Sequence, residues 1–481
     1  MARTEIQCPL TTWDQIGPRN YVRQVYCFPS SEAIDVGRLR QTLAHAISNA
    51  CAEYPDFAAR VVLPDSATGK LYLSHHPENQ AVLTVRYDAS YPYTYAELKR
   101  RGFPGGEFVG PEFTLAHHLE AGGPGMPVMQ IDARVITGGL LLGIYIHHAT
   151  TDGIGMAKFI ACLAKYTDRS CARPKSRAPR RRADLEIPRG LVLRFGKYTH
   201  QELMDQCPEY CTLSDLSGPL GFRIGSSDVP FGDIPKRGCI FTFTDATIAT
   251  LKSIIASRCP SASSPATFAC IVSLTWIFTT LARLQAQNKL KSPQTQCSLT
   301  LPASWARRAF PSFSDSHAGN AVSMAKLYAP LSGLTVAASC SRNAVAPGNT
   351  AFAQIVCAIT AHLDAINEEY IAKRTCMIRS APDPRSVCVN LDPLDPCDFI
   401  MNSWRHLGAD TQWRLPGVSE GNVFPDAVRR AQNEWNMGAG LVLPGQKDSN
   451  AYEILVTLEA ESMSVLRADR RWMGWVDGAM E

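Results

Sequence analysis

Apolar residues recur every three or four positions at Val36, Leu39, Leu43, Ile47 and Ala50, the stripe of a one-sided helix, and Pro55 lies past its end. The pattern then shortens to strand length. Arg60 to Leu63 and Lys70 to Ser74 flank a loop rich in Pro, Asp and Gly and read as a hairpin. A second strand pair, Val128 to Ile136 and Leu140 to Ile146, is separated by Thr137-Gly138-Gly139. Helical spacing follows at once, with Phe159, Ile160 and Leu163 on one face of a helix from Ile154 to Tyr166. The text is irregular to about Lys236. Strand-like Cys239 to Thr244 then leads into a helix from Asp245 to Ile255, and Thr267 opens a long helix through Leu284. Alternation continues to Arg471, with no internal repeat of solenoid period. Strands interleaved with helices predict an α/β fold.

At 481 residues the chain exceeds the size at which one hydrophobic core stops growing, so two domains are expected. The boundaries drawn from the pattern are 1–190 for the first, 191–236 for a crossover linker and 237–481 for the second. Six basic residues and two prolines between Arg173 and Arg182 fit a solvated linker, or a basic rim for a phosphorylated ligand.

A net charge of +4 is small for this mass and gives no sign of a nucleic-acid binder. No secretory signal is visible at the N-terminus, and no apolar run reads as a membrane span, so a cytoplasmic protein is expected. The sixteen cysteines are scattered, with no Cys-x-x-Cys pair, and read as thiols of a reducing compartment rather than metal ligands.

The candidate chemistry lies in His147-His148-Ala149-Thr150-Thr151-Asp152-Gly153, which ends a predicted strand and opens a predicted helix. Two other His-His pairs, His75-His76 and His117-His118, lack the acid and glycine that follow this one. Histidine titrates near neutrality, so a neutral His148 could take a proton from a bound hydroxyl. Asp152 could orient that imidazole, or turn away and pin the loop to a cation. Gly153 would permit the backbone reversal. A buried, non-catalytic His-Asp corner is the plainer alternative. No Gly-x-Ser-x-Gly elbow and no phosphate-binding Walker loop is present, and Gly438-Ala439-Gly440 reads as a strand entry.

With these residues in view, the chain resembles the BAHD-type acyl-CoA-dependent acyltransferases, in particular their fungal secondary-metabolite branch. The likeness includes Cys8-Pro9-Leu10, Asp14-Gln15 and Pro18-Arg19 near the start. It continues through Thr267-Phe268 with Trp276, Ser304 to Arg308, Gly319-Asn320-Ala321 and Ser403-Trp404. The family's second signature, Asp-Phe-Gly-Trp-Gly, survives only in fragments within Gly408 to Gly417.

The resemblance implies two domains, each a mixed sheet covered by helices, with the active-site channel between them. It implies His148 as general base and Asp152 as a structural aspartate paired with Arg307 or Arg308. Thr267 would lie beside the pantetheine arm, with Ser304 and Asn320 on the same donor side. Lys252 or the basic linker would meet the donor phosphates. Acyl-CoA, acetyl-CoA first, would serve as co-substrate with no resident cofactor, and a hydroxylated terpenoid, alkaloid or polyketide would be the acceptor of a monomeric enzyme. Two alternatives stand beside this reading: a free-standing condensation-type enzyme using carrier-bound thioesters, and a binding protein that has lost catalysis.

Overall fold

A computed structural model of the chain describes residues 5–30, 32–76, 78–113, 115, 119–174, 184–213, 225, 229–259, 265–288, 292–311, 319–343 and 346–481. Two mixed sheets organise it. The first takes the order β15-β2-β8-β7-β5, from β2 (Tyr21–Pro29), β5 (Val82–Tyr87), β7 (Met129–Ile136), β8 (Gly139–His147) and β15 (Ala427–Arg430). Only β5 and β7 run parallel in it.

The second has the order β12-β11-β14-β16-β17-β10-β18. Its members are β10 (Lys236–Thr244), β11 (Gln296–Ser304), β12 (Val322–Pro330), β14 (Asp398–Ser403), β16 (Ala439–Val442), β17 (Ala451–Glu459) and β18 (Gly478–Met480). A small sheet joins β1 (Ile6–Pro9), β3 (Arg60–Val62), β4 (Tyr72–His75) and β6 (Met126–Pro127), while β9 (Tyr210–Thr212) pairs with β13 (Val387–Val389). Both hairpins expected from the alternation form, β3 with β4 and β7 with β8.

Helices cover the sheets because their apolar stripes leave no other way to escape water. Over the first sheet lie α2 (Val36–Glu53) and α4 (Gly153–Lys165); α1 (Thr12–Gln15) and α3 (Tyr95–Arg100) are short. Leu39, Leu43, Ala46 and Ala50 of α2 meet Met156, Phe159, Ile160 and Leu163 of α4 in one core. The short α5 (Arg189–Phe195), α6 (His200–Asp205) and α9 (Ala306–Ala309) belong to the second body. Its main layer is α7 (Asp245–Arg258), α8 (Thr267–Ala286), α10 (Leu331–Ala337), α11 (Gly348–Asp364), α12 (Glu368–Ser380), α13 (Ala460–Ala468) and α14 (Arg470–Met473). Contrary to the expectation that no apolar run reads as a membrane span, α8 is long and apolar enough to cross a membrane by length and composition. It is mostly buried, however, as the central helix of the second core.

The halves also exchange material, which the division at 190 and 237 does not anticipate. Trp13 and Leu185 lie in the second core, whereas Trp413, Leu415, Val418 and Val428 lie in the first. Part of the expected linker is folded, with Phe195, Leu203 and Tyr210 in the second core. Most of the basic run after Arg173 lies outside the described residues, as does His117-His118.

Candidate active site

Strand β8 is buried along its whole length and ends at His147, where the chain leaves the first sheet. His148, Ala149 and Thr150 form one tight helical turn, and Asp152 then caps α4. The corner is fixed through its backbone. His147 N donates to Val128 O at 2.8 Å, His148 N to Asn20 O at 2.8 Å, and Thr150 Oγ1 to His147 O at 2.7 Å.

Asp152 uses both carboxylate oxygens. Oδ1 accepts Gly155 N at 3.0 Å, the N-cap bond that satisfies one free donor of the helix. Oδ2 accepts Ala321 N at 3.0 Å, immediately before β12. The carboxylate therefore ties the histidine corner to the second sheet. Asn320 adds a second tie, its Nδ2 donating to His148 O at 2.9 Å and to Asp14 Oδ1 at 3.0 Å. Asp14 Oδ1 also accepts Asn320 N at 2.7 Å. Gly17 fits the same spot because a Cβ there would lie 3.1 Å from Ala149 Cα and 3.2 Å from Asn320 Nδ2.

The two histidines face different surroundings. His147 is fully buried, edge-on to Tyr21 at 5.3 Å, and neither ring nitrogen has a hydrogen-bond partner. Burial, with the charges of His148 and Arg19, pushes it down to about 3. His148 is partly exposed. Its Nδ1 is sealed without a partner, which leaves Nε2 as the nitrogen open to solvent. Burial holds its imidazole below the ordinary value, against the opposing pull of the Asp152 charge and nearby hydrogen-bonding groups. At neutral pH the ring is a free base.

One structural expectation fails. Asp152 does not pair with Arg307 or Arg308, because its oxygens are taken by backbone N–H groups. Both arginines are exposed on α9, and Arg308 Nη1 donates to Leu363 O at 2.8 Å and to Asp364 at 3.3 Å. Asn320 is built into the scaffold, since both amide protons bond within the protein. Ser304 closes β11 opposite Val322, one residue from the strand end that Asp152 holds. Thr267 begins α8, partly exposed. Lys252 lies on α7, in the helical layer, and no contact of its own reaches the histidine corner. Gly153 opens α4, where a Cβ would come within 3.2 Å of Leu407. Asp14 lies in the opening segment that carries the resemblance, but nothing in the sequence ties it, Gly17 or Asn20 to this corner. Among the described residues, no group of three His, Cys, Asp or Glu side chains is placed to hold a metal ion.

Residues 21–167 match the family model of the trichothecene 3-O-acetyltransferase-like N-terminal domain. The acyltransferase easC of Emericella nidulans is 25% identical over 473 residues, which span 96% of this chain and 93% of that protein. The chain has the fold of the BAHD-type acyltransferases and is similar in sequence to fungal acyltransferases.

Its relatives are fungal: acyltransferase cm3D of Cordyceps militaris is 31% identical over 172 residues. That match spans 33% of this chain and only 35% of cm3D. The BAHD-type acyltransferase fold is shared with F. graminearum TRI101, solved with coenzyme A and T-2 mycotoxin. The TM-score is 0.74 at 17% identity, over 98% of this chain and 99% of that one. Vinorine synthase shares it at a TM-score of 0.57. The expected two-domain architecture of mixed sheets is the observed one.

Proposed function

We propose that this protein moves an acyl group, acetyl in the first instance, from a CoA thioester to a hydroxyl of a fungal secondary metabolite. His148 is the general base. The observation that carries the reading is the imidazole itself: a neutral ring with Nε2 open, held where the first sheet meets the start of β12. The coenzyme A in the TRI101 structure and the acyltransferase relatives support the donor class.

In the proposed step, Nε2 takes the hydroxyl proton while the oxygen attacks the thioester carbonyl. The tetrahedral oxyanion then collapses, the carbon–sulfur bond breaks, and the thiolate leaves with the proton returned by the imidazolium. Both substrates are bound together and no acyl-enzyme forms. General-base help of this kind is worth roughly two to four orders of magnitude, and positioning of the two substrates supplies much of the remainder. In this reading Asp152 positions the corner and does not relay the proton.

A thiol-release assay tests the proposal. Purified protein is mixed with acetyl-, propionyl- or benzoyl-CoA and a panel of hydroxylated terpenoids, alkaloids and polyketides. Acceptor-dependent release from a free CoA thioester is the expected result. Release that requires a carrier-bound thioester points to a condensation enzyme. Tight acceptor binding with no turnover on any thioester points to a binding protein.

A further inference from the structure

Two arginines end β15, and strand geometry sends their side chains to opposite faces of the first sheet. Arg429 is fully engaged: Nε donates to Phe103 O at 2.7 Å, Nη2 to Gly102 O at 2.8 Å, and Nη1 pairs with Glu453 at 2.8 Å. Arg430 has no hydrogen bond or ion pair with any described residue. Its guanidinium lies over the Trp404 indole, with Cζ 5.9 Å from the ring centroid. Gln24 stands directly across the ladder from it. The Gln24 side chain is 2% exposed; its Oε1 accepts the Tyr26 hydroxyl at 3.0 Å, and its Nε2 is buried with no partner. Burial and the like charge of Arg23 push Arg430 down to about 10, so it remains a cation at neutral pH. The buried Gln24 donor without a partner is a costly arrangement, and an anion held between it and the partly exposed Arg430 guanidinium would relieve it.

Register locates this pair relative to His148. Tyr21 pairs with His147 and Gln24 with Ile144, so Gln24 and Arg430 lie three residues, roughly 10 Å, along the sheet from the corner. Arg430 is two strands across, at roughly 4.8 Å each. Trp404 begins the turn that carries Leu407 against Gly153 and Gly408 against the Tyr26 hydroxyl. Arg430, Gln24 and Trp404 therefore share the seam with the histidine. The backbone of Arg430 therefore lies roughly 14 Å from the corner, measured across the sheet.

We propose that Arg430 and Gln24 form a recognition site for a carboxylate on the acceptor, which holds the reacting hydroxyl at His148. The identification of the ligand as acceptor rests on the acyl-transfer reading above. A planar guanidinium beside a single amide donor matches the two oxygens of a carboxylate. The carboxylate of a malonyl or succinyl donor lies only two or three bonds from the reacting carbonyl, too close to span this separation.

The test is calorimetric binding of benzoate and benzamide to the full chain, with inorganic phosphate as a third probe. Wild type is expected to bind benzoate at least tenfold more tightly than benzamide, and more tightly than phosphate. Arg430→Met should remove that preference, Arg430→Lys should keep part of it, and Gln24→Leu should weaken benzoate about threefold or more. Thermal unfolding establishes that each variant is folded. Equal binding of the two probes by wild type, a preference for phosphate, or an undiminished benzoate preference in Arg430→Met would overturn the proposal. This readout needs no turnover. Failure of thiol release alongside intact benzoate discrimination removes the acyl-transfer reading and leaves the anion site, while the reverse result removes only the anion site.

Discussion

Neighbouring histidines at the end of β8 sit in different surroundings. His147 is sealed in the sheet as a neutral ring, and its protonation is pushed down to about 3. An unfolded chain binds that proton near pH 6.5. Its contribution to stability is therefore complete above pH 6.5 and is lost progressively as pH falls towards 3. Over that span the loss is on the order of 4–5 kcal/mol. Denaturant titrations of wild type and His147→Phe at pH 7 and pH 4.5 should show a smaller acid penalty in the variant; equal penalties would remove this account of His147.

Asp152 gives a second comparison at this scale. Asp152→Ala loses the helix cap and the bond to Ala321, and a cost of about 2–3 kcal/mol in unfolding free energy is expected. Asp152→Asn can keep one acceptor oxygen for one of the two N–H groups, so about half that cost is expected. Equal losses in the two variants would contradict the two-bond role. His148 and Asp152 were legible because their spacing carries chemistry. The partner of Asp152 was not, because it is a backbone N–H that any residue at position 321 except proline would supply.

The apolar pattern marked the strands and helices around the motif to within a few residues, since α2, α4 and α7 bury one apolar face while β8 and much of α8 are continuous buried runs. It could not show strand exchange. Β15 reads as a member of the second half yet pairs with β2 of the first sheet. The eroded signature between Gly408 and Gly417 leads into that exchange. Trp413 is fully buried there, 5.8 Å from Tyr26 and 6.0 Å from Phe28, and Gly408 adopts φ +88° against the Tyr26 hydroxyl. This segment completes the core beneath the histidine corner. Trp413→Ala should cost about 3–5 kcal/mol in denaturant unfolding. A loss below about 1 kcal/mol would show that the exchanged segment is not a core element.

Across the whole molecule, one set of ties between the two bodies runs through Asp14, Asp152, Asn320 and Ala321, and Nε2 of His148 opens beside those ties. The family resemblance supplied the two-domain plan, and the polar ties that join its halves became visible only in three dimensions. With His148 as the proposed base, the acidic limb of kcat/KM is expected below the ordinary imidazole value, because burial disfavours the proton that would silence it. The most direct measurement is kcat for thiol release by His148→Ala, with an acyl-CoA and acceptor that the wild type turns over. A fall of about two to four orders of magnitude, with little change in KM for the donor, is expected. A variant that kept more than about a tenth of wild-type turnover would show that His148 is not the base.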